Sequence, residues 1–145
     1  MCKLIKKIMK WFVNNQPEVW MGAMYHKDTG EVEDWSHKIE VSNLGNVRFA
    51  EGNEAKQKNR KPYPTILHRG NCRGNYRYIS FWGDGKGVQR RIHRMVLSTF
   101  RPLPLGIEDK MDADHIDYDQ TNNKLSNLQW MDRKTHSRRR RSTSK

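Results

Sequence analysis

Between Glu108 and Asp119 the chain places six of its sixteen acidic residues. They open the stretch EDKMDADHIDYDQTNNKLSNLQWMDRKTHSRRRR, residues 108–141. Met111, Ala113 and Ile116 suggest a short strand, a polar loop runs through Asn127, and LQWM reads as a second strand. DRKTHSRRRR then reads as a helix. Asp132 suits its N-cap, and the arginines towards its C-terminus complement the helix dipole. This β-loop-β-helix unit restricts the architecture more than any other segment.

The charge around it is uneven. Residues 1–47 carry six basic and six acidic residues, and residues 48–101 carry thirteen basic and three acidic. Residues 102–132 carry two basic and seven acidic, and residues 133–145 carry seven basic and no acid. The formal net charge is +12 and the pI about 10.0. Lys and Arg that neutralise phosphates release condensed counterions, so this excess points to a polyanionic partner. Carboxylates inside such a surface weaken that attraction unless a divalent cation sits between them and a phosphate. The alternative is a solvated acidic loop, and charge alone does not decide between the two.

Elsewhere the chain reads as small hairpins and one helix. KIEVSNLGNVRF alternates apolar residues on both sides of an Asn/Gly turn, which predicts a hairpin. NYRYISFWGDGKGVQRRIH offers a second strand pair around GDGKG, a turn without the spacing of a phosphate-binding loop. Ile92, Met95, Val96, Thr99 and Phe100 mark one face of a helix that Pro102 and Pro104 stop. Residues 14–34 read as polar and irregular, with Trp20 and Met21 as packing points, residues 50–64 as a charged loop, and RSTSK as a disordered end. Trp130 is expected in the core.

Leu4, Ile5, Ile8, Met9 and Phe12 recur at helical spacing among lysines. They fit either a basic amphipathic helix touching membrane or DNA or a short helix packed on the body. No stretch approaches the ~20 apolar residues of a membrane span. Cys2 and Cys72 stand alone, so neither a disulfide framework nor a zinc finger is indicated. Free thiols in a reducing cytoplasm are expected.

Asp114-His115, Asn127 twelve residues later and His136 nine residues after that, with TNNKLSNLQW between, resemble the HNH (His-Me finger, ββα-metal) motif of phage and intron homing endonucleases. IHRMVLSTF is similar to the helix that precedes the motif in that family. WSHKIEVSNLGNVR resembles the small modular DNA-binding motif often found N-terminal to it. The resemblance covers about residues 35–136. It implies an α+β fold: a small β-rich module of hairpins at residues 35–90 after an N-terminal segment at 1–34, then the helix and the ββα motif at 91–141, and a basic tail at 142–145.

The resemblance also implies the chemistry. Asp114 and His136 would ligate one divalent cation, for which Mg²⁺ or Mn²⁺ suits a mixed oxygen and nitrogen site. His115, held by a backbone carbonyl, would be the general base for an attacking water. Asn127 would bridge the loop backbone and keep His115 in register. The reaction is phosphodiester hydrolysis leaving 5′-phosphate and 3′-hydroxyl ends. Double-stranded DNA is the expected partner, contacted by Arg48, Arg90, Arg91, Arg94, Arg138, Arg139 and Arg140. One site per chain and a monomer are expected, so nicking rather than double-strand cutting, in the cytoplasm and with no membrane or protein partner. Asn122 and Asn123 read as turn formers, and His93 as a packing or phosphate-contact residue.

The sequence departs from the family in two places. Tyr118 stands where relatives carry a turn glycine. No helix-turn-helix follows His136, which leaves phosphate contact to the RRRR run. The alternative function is a catalytically silent DNA-binding protein that keeps the ββα scaffold. An RNA-binding accessory protein lacks support, because no stacking-sheet pattern is present.

Overall fold

The computed structural model describes residues 2–51, 65–68, 75–104 and 110–143. Cys72, most of the charged loop at 50–64, and the last two residues of RSTSK lie outside this set. The fold is α+β, and the described residues form four small antiparallel sheets gathered on one helix.

Helix α1 (Lys3–Asn14) comes first, with Leu4, Ile5, Ile8 and Trp11 exposed. Residues 14–34, expected to be irregular, contain three short strands: β1 (Trp20–Gly22), β2 (Met24–His26) and β3 (Val32–Asp34). Each is three residues long, too short for the alternation that identifies a strand in sequence. Met21 is exposed, and Ala23 supplies the buried contact in its place.

Strand β1 pairs with β4 (Ile39–Ser42), which pairs with β5 (Val47–Phe49). The β4–β5 turn places Gly45 at φ +83°, a left-handed conformation that glycine adopts without steric penalty. β6 (Thr65–His68), β7 (Asn75–Gly83) and β8 (Lys86–Arg91) form a meander. Asp84 and Gly85 join β7 to β8 with φ values of 51° and 74°, both positive as a two-residue hairpin turn of the I′ type requires.

Helix α2 (Ile92–Phe100) follows β8 directly and forms the centre of the molecule. The sequence pattern marked one apolar face, but every residue from Ile92 to Thr99 is buried. Its polar residues are buried because they serve strand β2: Met24 N donates to Thr99 Oγ1 at 2.9 Å and His26 N to Ser98 Oγ at 3.0 Å. An otherwise unpaired strand edge is thus satisfied by helix hydroxyls. Around α2 a single core runs through Trp35, Ile39, Val41, Ile79, Phe81, Val88, Ala113 and Leu128. Trp130 packs against this core half-buried, its indole N–H donating to Arg101 O at 2.7 Å.

Strands β9 (Met111–His115) and β10 (Leu128–Asp132) form the last sheet, and helix α3 (Arg133–Ser142) packs against it. Asp132 caps α3 by accepting from Thr135 N at 2.8 Å. The helix reaches Ser142, two residues into RSTSK, the segment expected to be disordered.

Candidate active site

The β9–β10 register sets Gln129 opposite Asp114, Met131 opposite Asp112 and Leu128 opposite His115. Side chains alternate across a strand, so Asp112 and Asp114 share the face towards α3 and His115 takes the other, towards α2. The loop between the strands closes through Asn127. Its Oδ1 accepts from Asp117 N at 3.0 Å, and its Nδ2 donates to Asp117 Oδ1 at 2.8 Å and to Asn122 O at 2.9 Å. Asp117 also accepts from Asp119 N and Asn122 Nδ2, so both of its oxygens are used inside the loop. Burial alone would raise its carboxyl pKa, but the hydrogen bonds from Asn122 and Asn127 hold it below the usual range.

The acidic run therefore divides by role. Asp117 and Asp119 build the loop, whereas Asp112 and Asp114 face His136 across one turn of α3. His136 Nδ1 lies 2.9 Å from Asp112 Oδ2, and His136 Nε2 lies 3.5 Å from Asp114 Oδ1. With the Nδ1 proton donated to Asp112, a neutral His136 turns the lone pair of Nε2 towards a carboxylate oxygen. Two acceptors face to face need a positive charge between them, a proton or a metal ion.

Metal–ligand bonds of about 2.1 Å meeting near a right angle hold two donors about 3 Å apart, close to the separation seen. The donor pair thus fits one small cation. Among the described residues no third His, Cys, Asp or Glu joins the group. Two protein donors would leave the remaining positions of such an ion for water and phosphate oxygens, as Mg²⁺ prefers. The other oxygen of Asp114 is held by Gln129 Nε2 at 2.9 Å and by the Arg139 guanidinium. Asp112, Gln129 and Arg139 thus fix the orientation of Asp114 and His136.

Arg139 is itself fixed. Its Nε donates to the Tyr118 hydroxyl at 2.8 Å, its Cζ lies 4.2 Å from the centre of the Tyr118 ring, and it also donates to Ile116 O. Tyr118 has φ +65°, which costs a non-glycine residue about 1–2 kcal/mol. The tyrosine at this turn thus keeps the glycine-like backbone and adds a seat for Arg139.

His115 is 3% exposed and packs between His93, with ring centres 4.8 Å apart, and Tyr76, at 5.9 Å. Burial lowers its pKa, against a raising effect of the Asn123 hydrogen bond and of Asp114 and Asp117. The imidazole is therefore neutral at neutral pH, as a base must be. Its Nε2 lies 3.0 Å from Asn123 Oδ1. The partner is a side-chain amide, where a backbone carbonyl was expected. His93 is fully buried and stacked on Tyr76, which excludes it as a phosphate contact; burial pushes its pKa well down.

The seven arginines expected to hold DNA separate into groups. Arg94 is buried, its Nε donating to His26 O at 2.5 Å, its guanidinium 3.1 Å from Asp28 and 5.3 Å from the Trp130 ring; no phosphate reaches it. Arg90 forms a two-pronged pair with Glu33, both contacts at 2.6 Å, and Glu33 falls to about 2. Burial opposes that fall, and the hydrogen bonds from Arg90, Trp35 and Lys27 outweigh it. Arg48 pairs with Glu40 at 2.6 Å and covers Trp20, and Arg91 stacks on Tyr76. Arg138 and Arg140 are exposed on α3. Sequence reasoning missed Asp112, Gln129, Asn123 and Tyr118 as parts of the site. Only Asp112 carried a signal, being two residues from Asp114 on a strand and so on the same face.

No family model matches the chain. A structure of the HNH homing endonuclease I-HmuI, described as one of DNA binding and cleavage, superposes with a TM-score of 0.57 at 22% identity. It covers 87% of this chain and 59% of that one. The fold is that of an HNH endonuclease. The H-N-H endonuclease F-TflII of Escherichia phage T5 is 33% identical over 61 residues, 42% of this chain and 31% of the phage protein. The chain thus spans about a third of the length of that curated relative. In this chain Asp114 and His115 end β9, Asn127 closes the loop and His136 lies on α3. No helix among the described residues is long and apolar enough to cross a membrane.

Proposed function

We propose that the protein is a metal-dependent DNA endonuclease of the HNH type, hydrolysing phosphodiester bonds and nicking duplex DNA as a monomer. The observation that carries this reading is the pairing of Asp114 Oδ1 with His136 Nε2 on one face of β9 while the next residue, His115, is neutral on the other. Hydrolysis of a phosphodiester needs charge neutralised on the leaving side and a base on the attacking side. Adjacent residues of one strand supply the two on opposite faces.

Asp114 and His136 would hold the ion, Mg²⁺ or Mn²⁺, with Gln129, Arg139 and Asp112 keeping them in place. Such a cation, when bound, would supply positive charge against the phosphate and the departing 3′ oxygen. His115 takes a proton from water as the water oxygen bonds to phosphorus. The bond from phosphorus to the 3′ oxygen breaks, that oxygen takes a proton from solvent, and His115 returns its proton to solvent. A positioned base contributes about 10²–10⁴-fold to such a step. Arg138 and Arg140, exposed on α3, would meet backbone phosphates, contacts that position DNA without reading its sequence.

Supercoiled plasmid tests the reading. Wild-type protein with Mg²⁺ or Mn²⁺ converts it to the open circular form, EDTA stops the conversion, and His115→Ala loses about 10²-fold or more while still shifting DNA in a gel. Equal conversion by wild type and His115→Ala removes His115 from the role of base. No conversion under any metal removes the nuclease reading.

A further inference from the structure

Asn123 reads in the sequence as a turn former, but it is 4% exposed and only one end of its amide is used. Oδ1 meets His115 Nε2 at 3.0 Å, while Nδ2 is buried with no hydrogen-bond partner among the described residues. A buried unsatisfied donor costs about 1–3 kcal/mol. A residue kept at that cost is kept for its oxygen.

That oxygen decides the tautomer of His115. An amide oxygen accepts only, so Nε2 must carry the imidazole proton, and the lone pair lies on Nδ1. With the amide turned round, its N–H groups would face Nε2 and the ring proton would sit on Nδ1, the nitrogen a base needs free. We propose that Asn123 is the positioning residue of the general base, fixing His115 as the Nε2–H tautomer with Nδ1 open to take a proton. The proposal rests on the reading of His115 as the base.

The N-terminal hairpin holds Asn123 in place. Leu125 N donates to Asn43 O at 2.8 Å, tying the segment after Asn123 to the β4–β5 turn. Gly45 in that turn lies so close that a Cβ on it would stand 2.7 Å from the carbonyl carbon and oxygen of Asn123 and 2.8 Å from its Cβ. The asparagine is therefore pressed between a glycine turn from one end of the chain and the imidazole from the other. A change in a hairpin that touches neither cation nor base thus reaches the base through one side chain.

Nitrogen-15 NMR of the full-length, metal-free protein reads the tautomer directly, with plasmid nicking and DNA affinity measured beside it. Wild type shows His115 protonated on Nε2. Asn123→Leu, which removes the oxygen, gives a mixed or Nδ1–H population and a kcat lower by about 10²-fold, with Kd for DNA unchanged. Asn123→Asp keeps the acceptor and discards the unused N–H groups, so it retains the Nε2–H form and restores most of the rate. Gly45→Ala, which displaces Asn123 without removing its oxygen, shifts the tautomer in the direction of Asn123→Leu.

An Nδ1–H wild type, or an Asn123→Leu protein with the wild-type tautomer and rate, overturns the assignment. If Asn123→Leu does not fold, Asn123→Asp still decides: a lost Nε2–H form in the Asp variant refutes the role. The tautomer is read without cleavage, so this outcome is separate from that of the His115→Ala plasmid assay.

Discussion

In the body formed by residues 20–101, arginines close on carboxylates: Arg48 on Glu40, Arg90 on Glu33, Arg94 on Asp28. In residues 111–143 the carboxylates divide: Asp117 and Asp119 are held inside the loop by amides, backbone N–H groups and a hydroxyl, while Asp112 and Asp114 meet Arg133 and Arg139 and also turn to His136. Asp117 is consumed by Asn122 and Asn127, whereas Asp114 keeps one oxygen turned to His136. The difference shows that net charge does not locate a binding surface. A basic segment can spend its charge internally, and a short acidic one can leave a single oxygen available for chemistry.

Four experiments test this contrast, the smallest effect last. Asp112→Leu removes the acceptor that orients His136, and metal affinity read from nicking against Mn²⁺ concentration weakens by about 10–100-fold. An unchanged curve would make Asp112 an ordinary solvated acid. Arg94→Ala leaves the His26 carbonyl unpaired in the core and lowers stability by about 2 kcal/mol in denaturant unfolding. Arg138→Ala, on the exposed face of α3, changes stability by no more than about 0.5 kcal/mol but reduces the salt dependence of DNA binding by about one ion. Equal stability losses at the two arginines would erase the distinction.

The third concerns pH. Glu33 is held at about 2 in the folded protein, below its ordinary 4.5. Its stabilisation is therefore complete above pH 4.5 and is lost as the pH falls towards 2. Over that window wild type loses about 2–3 kcal/mol from this group, and Glu33→Gln, less stable at neutral pH, shows a flatter acid limb. The smallest effect is at Tyr118. Tyr118→Gly relieves about 1 kcal/mol of backbone strain and gives up about 1 kcal/mol of stacking and hydrogen bonding to Arg139. Its melting temperature stays near that of wild type, and a large fall would mean that the tyrosine packs rather than seats the arginine.

The legible parts of the molecule were those with long or chemically specific patterns. Helix α2, the two longer hairpins and the ββα unit follow from periodicity, turn residues and the Asp132 cap. The spacing of Asp114, His115, Asn127 and His136 points to residues that the fold gathers at the β9–β10 loop and α3. What stayed hidden depended on partners far away in the chain. Strands β1 to β3 are three-residue pieces, and the free edge of β2 is completed by Ser98 and Thr99. The burial of Arg94 depends on His26 and Trp130, and Asn123 looks like any turn asparagine until His115 is set beside it. Arg139 was read as one of four equal charges, because nothing in RRRR distinguishes the residue that faces Asp114 and Tyr118.

The central claim is that one cation, held between Asp114 and His136, is needed for strand cleavage. Its most direct test is plasmid nicking as a function of Mn²⁺ concentration for wild type and His136→Ala. The account predicts a single-ion saturation curve for wild type, abolished by EDTA, and a half-saturating Mn²⁺ concentration raised by at least about 10-fold in His136→Ala. Identical curves for the two proteins, or nicking that persists in EDTA, would contradict it.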